Sequence, residues 1–259
     1  MALSSDPAGS NASALDRKRL GVPILFETIH ELVVIKPAGM ATELTSDPKG
    51  VSLLSRVRAA VPSDVAPKLP HRLDRVTRGI VVVALSNDAI RFHNEQLRAG
   101  AWEKTYLARL SSARLEDPGR LIGMHKVHLR VRDGRADVVR SGGKRAITEV
   151  LAVAPAPDRS DEAHALLRLQ TGRYHQIRAT MAHLGAPLVG DWLYGSASKR
   201  GDGRFYLEHI VLRFKPYGAL RVRVVHLRED PHREAIAPAL RVVLDRRLEE
   251  WETQDAEER

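Results

Sequence analysis

The branched apolar run Val81-Val82-Val83-Ala84-Leu85 follows directly on the polar stretch His71-Arg72-Leu73-Asp74-Arg75-Val76-Thr77-Arg78-Gly79-Ile80. Such a run reads as a buried strand, which puts the polar cluster at the strand's entrance. One carboxylate, Asp74, sits there among Arg72, Arg75 and Arg78, with His71 and Thr77 close by. Taken alone, the loop reads as a solvated surface with Asp74 as its counter-ion, because exposed ion pairs are common and contribute little.

The rest of the chain alternates short strands with a few helices. Ile24 to Glu27 and Leu32 to Ile35 read as strands around a turn, and Pro37 with Gly39 ends the second. Lys36, at that strand end, reads as solvated or, second to that, as reaching an anion. Leu53, Leu54 and Val57 have helical spacing. Ser86-Asn87-Asp88 offers an N-cap to a helix that stops at Gly100. Thr105 to Leu110, Lys126 to Val131, Ala165 to Gln170, Glu208 to Phe214 and Leu220 to Val224 read as further strands, those between Leu121 and Val153 being short. Ile177, Met181 and Leu184 mark a helix. Leu240, Val243, Leu244, Leu248 and Trp251 mark a last amphipathic one behind Pro238. With no repeat and no internal linker, this is one α+β domain over residues 21–248. A disordered tail is expected over 1–20 and an acidic tail over 249–259.

The 259 residues carry a formal charge of +9, which favours a polyanionic partner. No run approaches the roughly 18 apolar residues of a membrane helix, and the first residues are not a secretory signal. A soluble cytoplasmic protein without a membrane partner is expected. The chain has no cysteine, so thiolate nucleophiles and cysteine zinc sites are excluded. The histidines are scattered, with no His-Glu-x-x-His, and no metal is expected. Neither Gly-x-Ser-x-Gly nor a nucleotide-binding glycine loop occurs, which speaks against serine hydrolysis and nucleotide-dependent chemistry.

Two polar loops remain: the one that carries Asp74, and one after Gly172 that carries Arg173, His175, Gln176 and Arg178. If they meet, an arginine about 4 Å from the carboxylate contributes on the order of 4 kcal/mol at an effective dielectric near 20, before desolvation is subtracted. Tyr106 is a candidate third member. An ionised carboxylate in a half-buried cleft is what a nucleophile needs.

The segment His71-Arg72-Leu73-Asp74-Arg75, followed by Thr77 and Gly79, resembles the catalytic signature of RluA-type pseudouridine synthases. Four more segments resemble the same family in the same order, over roughly residues 23 to 217. They are Ile24 to Gly39, Lys104-Thr105-Tyr106-Leu107-Ala108, Lys144-Arg145-Ala146-Ile147-Thr148, and Thr171 to Arg178 together with Gly190 to Gly195. The resemblance implies a central mixed, mostly antiparallel sheet with flanking helices and an active-site cleft. It also implies isomerisation of uridine to pseudouridine in tRNA or rRNA by a monomer without a nucleotide or any other cofactor. Asp74 matches the catalytic aspartate, Tyr106 the tyrosine against the target base (a candidate proton acceptor) and Arg178 the aspartate's charge partner. Arg72 matches a residue that fills the gap left by a flipped nucleotide, and His71, Leu73, Thr77, Arg173, His175, Gln176 and Ile177 fall in the substrate-binding segments. The family usually has an acidic residue at Val76 and a serine at Arg78, Asn or Asp at Ile35, and Val-His at Ala179-Thr180. Val76 and Arg78, beside the carboxylate, motivate a second expectation, an RNA-binding or RNA-folding protein that keeps the fold without activity. The family's frequent N-terminal helical RNA-binding domain is not expected here.

Overall fold

The computed structural model describes residues 15–44, 50–112, 115, 117–197, 205–232 and 235–257. Among the described residues ten strands form one sheet, in the order β1-β2-β3-β9-β4-β8-β7-β5-β6, with β10 paired to β9. They are β1 (Ile24–Glu27), β2 (Glu31–Lys36), β3 (Arg78–Ala84), β4 (Glu103–Ser111), β5 (Gly123–Arg132), β6 (Arg135–Val139), β7 (Lys144–Ala156), β8 (Arg159–Leu169), β9 (Leu207–Phe214) and β10 (Arg223–His226). Every pairing is antiparallel except β3 with β9, which meet in parallel at Arg78–Glu208 and Gly79–His209. That contact explains Gly79: its φ is +129°, and a Cβ there would lie 2.4 Å from the carbonyl oxygen of His209.

Among the described residues five α-helices flank the sheet: α1 (Arg17–Leu20), α2 (Leu53–Ala60), α3 (Asn87–Arg98), α4 (Gln176–His183) and α5 (Pro238–Glu257). Of the Ser86-Asn87-Asp88 segment expected to cap α3, Ser86 is the cap, its hydroxyl accepting from the Ala89 amide. On one face, α1, α2 and α4 bury a core built around Leu20, Val57, Val81, Tyr106, Leu167 and Met181. On the other, Leu240, Leu244, Leu248 and Trp251 of α5 pack on Leu107, Ala152, Ala154 and Leu166. No helix among the described residues is long and apolar enough to cross a membrane.

Three boundaries differ from the sequence reading. Order begins before residue 21: Asp16 caps α1 through the Arg19 amide, and Leu20 is fully buried. Residues 1–14 lie outside the described ones. α5 runs through the segment expected as an acidic tail, because Trp251 anchors it to the core. The strands expected to be short are long, with β5 spanning 10 residues and β7 13, since β7 keeps its register with both β5 and β8.

Candidate active site

β3 and the end of β2 hold the loop from Pro70 to Thr77. Thr42 grips it from one side, its hydroxyl donating to the Leu73 carbonyl at 2.6 Å and accepting from the Leu73 amide at 3.2 Å. Leu73 itself is buried in the core. The Gly39 amide and the Lys36 ammonium both donate to the Arg75 carbonyl, and the Thr77 amide closes a turn onto the Asp74 carbonyl at 3.0 Å. With Leu73 below and this turn above, Asp74 projects into the cleft with 23% of its side chain exposed.

Lys36 is not solvated, the first of its two sequence readings, and its bonded partners are carbonyls. Its side chain is fully buried, and the ammonium donates to the carbonyls of Pro37 (2.9 Å), Met40 (2.8 Å) and Arg75 (3.2 Å). Burial, offset in part by the Asp74 charge, lowers its pKa to about 7. The proline and glycine that end β2 fold the chain back over the lysine, so it gathers carbonyls that the strand can no longer use. Its removal strands those acceptors: Lys36→Met is expected to cost about 1–3 kcal/mol in urea unfolding. A loss below about 0.5 kcal/mol would show the carbonyls to be satisfied without it.

The second polar loop arrives from β8. His175 caps α4 in the left-handed region, φ +51°, a strain that functional sites store. Its ring stacks on Tyr174 at 3.8 Å between centroids. Arg178 Nη1 donates to His175 Nε2 at 2.8 Å, so the proton lies on Nδ1, which faces the Tyr194 hydroxyl at 3.0 Å. Burial and then the Arg178 charge lower the His175 pKa to about 4, so the ring is neutral at physiological pH. Arg178 reaches Asp74 Oδ2 at 3.5 Å, yet its closer partner is Asp191. The guanidinium forks onto that carboxylate at 2.7 and 2.9 Å, and both residues are buried. The guanidinium also lies over the rings of Phe205 (4.5 Å) and Tyr194 (4.9 Å).

Tyr106 completes the group. It stands on β4, stacked on His209 at 4.6 Å and 16°, and is buried. His209 donates from Nδ1 to the Ile80 carbonyl at 2.7 Å, and burial lowers its pKa to about 3. Burial and the Asp74 charge both raise the pKa of the Tyr106 phenol. That works against the phenolate a proton acceptor needs, and in favour of a neutral hydroxyl beside the ligand. Burial also raises the pKa of Asp74, while Arg178, Arg72 and Lys36 pull it down.

These groups line an open cleft of about 870 Å³. All eleven residues selected from sequence line it, but they do different things there. Gln176 spends its whole amide on protein: Oε1 accepts from Thr171 and the Arg173 amide, and Nε2 donates to the Ile147 carbonyl and Thr148. It fixes the loop rather than facing a ligand. His71 accepts the Val82 amide on Nε2 at 3.0 Å and packs edge-on against Trp102, so it too is a support. Ile177 and Leu73 are core side chains that form the cleft's apolar wall, and Thr77 is buried. Arg72 and Arg173 sit at the exposed rim, Arg72 bonded to Glu43 at 2.6 Å and Arg173 to the Arg145 carbonyl at 3.0 Å.

Sequence reasoning missed Asp191, Lys36 and Lys104. Lys104 shares a β4 face with Tyr106, is 7% exposed in the cleft, and has no ion-pair partner among the described residues. Its burial lowers its pKa to about 8. The period-two spacing from Tyr106 could have found it. Among the described residues no cluster of His, Asp or Glu has the arrangement to hold a metal ion.

Residues 30–183 match the RNA pseudouridylate synthase family. The chain is 37% identical over 224 residues to "Ribosomal large subunit pseudouridine synthase D" of Xylella fastidiosa, covering 78% of this chain and 64% of that protein. It is 32% identical over 191 residues to "Dual-specificity RNA pseudouridine synthase RluA" of Escherichia coli K12, covering 72% and 83%. The chain thus spans slightly less than two thirds of the first of these relatives. Among solved structures, human RNA Pseudouridylate Synthase Domain Containing 1 superposes with a TM-score of 0.64 at 23% identity, over 80% of this chain and 83% of that one, and shares the fold. A carboxylate, an arginine and a tyrosine converge in one cleft, and the family match runs through the residues that build it; the chain belongs to the RNA pseudouridylate synthase family.

Proposed function

We propose that this chain isomerises uridine to pseudouridine in tRNA or rRNA, as a cytoplasmic monomer and without a cofactor. The observation that carries the reading is Asp74, half-buried in an open cleft, 3.5 Å from Arg178 and beside Tyr106. The reaction conserves atoms: the N1–C1′ bond breaks, the uracil turns, C5 joins C1′, and the C5 proton is exchanged for one on N1. No redox agent or outside group is required.

Asp74 acts ionised in this reading, whether it adds to C1′ or assists a glycal route. Arg178 holds the charge, Asp191 holds Arg178, and Tyr106 lies against the flipped base as a neutral hydroxyl. Flipping costs a few kcal/mol and least in unpaired regions, so loop uridines are the favoured substrates. Arg72 and Arg173, exposed at the rim, meet the phosphates.

The departures at Val76 and Arg78 stay out of the cleft. Val76 packs on the core, and Arg78 turns away to pair with Glu208 and with Asp230 at 2.7 Å. Neither position favours the alternative of a protein that binds RNA without acting on it. The test is incubation of purified protein with unmodified tRNA and rRNA transcripts, followed by pseudouridine mapping. Site-specific product without added cofactor is expected; tight binding with no product at single turnover would hand the case to the alternative.

A further inference from the structure

The hairpin of β5 and β6 carries a row of cations on a sheet face that no helix among the described residues covers. Burial alternates along β5: Val127 and Leu129 pack, with Ala136 and Ala146, against Ala179 and Ala182 of α4. Lys126, His128, Arg130 and Arg132 therefore point to the other side, and all are exposed. The register sets Arg145 of β7 opposite His128, so it joins the row. Directly across from this stretch stands a single carboxylate, Asp137 opposite Arg130, and it is bonded to Arg135 at 3.0 Å. Lys126, Arg130, Arg132 and Arg145 have no carboxylate partner among the described residues. None of them lines the cleft.

Nearer α5 the same face is electrically answered. Glu149, opposite Met124 of β5, holds Arg168 at 2.5 Å, and Glu103 holds Arg247 of α5 at 2.7 Å. Neutralisation thus stops where the helix stops. Unanswered like charges on one strand repel one another, and alternate residues recur about 6.8 Å apart. A phosphate backbone supplies regularly spaced negative charge, and the arginine fork matches phosphate oxygens.

We propose that this face is a second RNA-binding surface, taking a stretch of phosphate backbone remote from the nucleotide in the cleft. The proposal rests on the reading that the substrate is RNA. The platform is tied to the catalytic loop, since the Tyr174 hydroxyl donates to the Gly134 carbonyl and the Ala136 amide to the Tyr194 hydroxyl. An RNA docked there would be held in register with α4 and the residues it presents to the cleft.

The test replaces Lys126, Arg130, Arg132 and Arg145 together by glutamine and measures binding by anisotropy over a salt series. The probes are a full tRNA transcript and a short hairpin that offers little beyond one uridine loop. For the transcript, Kd is expected to weaken about tenfold or more near 0.1 M salt, with a salt slope shallower by about three. For the short hairpin, Kd and the single-turnover rate stay as in wild type. An unchanged slope with the transcript, an equal loss for both probes, or wild-type binding to phosphatidylserine vesicles abolished by the substitutions would overturn the proposal. A variant with Arg130, Arg132 and Arg145 replaced by lysine must keep the wild-type slope, which separates charge from folding. Because binding is read directly, the answer stands even if wild type forms no pseudouridine.

Discussion

Asp74→Asn is expected to abolish isomerisation, by a factor on the order of 10⁴ or more in single-turnover rate, while leaving the protein folded and able to bind RNA. The change is nearly isosteric and keeps an oxygen toward Arg178 Nη1. It removes the negative charge, and with it the capacity to add to C1′ or to accept a proton. Tritium release to water from a transcript labelled at uracil C5 gives the rate, and retention of more than a few per cent of activity would move the essential group elsewhere.

The same substitution carries a stability prediction of opposite sign. Burial raises the Asp74 pKa above the ordinary carboxylate value, against the pull of Arg178, Arg72 and Lys36. Between the unfolded and folded pKa the native state therefore binds more protons than the unfolded one, and its stability falls as pH rises through that window. Asp74→Asn removes this penalty, so the variant is expected to melt at a higher temperature than wild type at neutral pH and at the same temperature in acid. Activity runs the other way: it needs the ionised form and falls on the acid side, with a midpoint above the ordinary aspartate value. A catalytic group held at a cost in stability is the pattern expected of a functional site.

The parts of this site that sequence made visible are those whose chemistry is local. Gly79 ends the polar run for a backbone reason, and the alternation of polar and apolar residues from Lys126 to Val131 marks the faces of β5. The convergence of Asp74, Tyr106 and Arg178 came from the order of motifs, since their contacts span long separations. Lys36 was misread because its shell is made by carbonyls of Pro37, Met40 and Arg75, and only the folded loop brings the last of these within 3.2 Å. Arg78 looked like an intrusion beside the carboxylate. Being the first residue of β3, it lies across from Glu208, and the parallel register draws its side chain away from the cleft. Gln176 and His71 looked like ligand contacts because polar residues in a motif do; His71 instead takes the Val82 amide, and Gln176 is used up by the Thr171 and Thr148 hydroxyls, the Arg173 amide and the Ile147 carbonyl.

Asp191 was quoted within a motif and given no role, and its replacement should have the second largest effect. Asp191→Ala leaves the Arg178 guanidinium buried with Asp74 as its remaining carboxylate, and loss of one partner of a buried pair costs about 3–5 kcal/mol. Freed from its fork, Arg178 can close on Asp74 and neutralise the charge the reaction uses, so isomerisation is expected to drop on the order of 10²-fold or more in the molecules that remain folded. The two effects separate in the double variant Asp191→Ala with Arg178→Met. With no buried guanidinium left unpaired, unfolding by urea should recover by about 2 kcal/mol relative to Asp191→Ala alone, because the two residues share one interaction. Activity should not recover, since Asp74 then lacks its cation. Strictly additive stabilities, or a double variant more active than Asp191→Ala, would mean that Asp191 serves the loop and not the arginine.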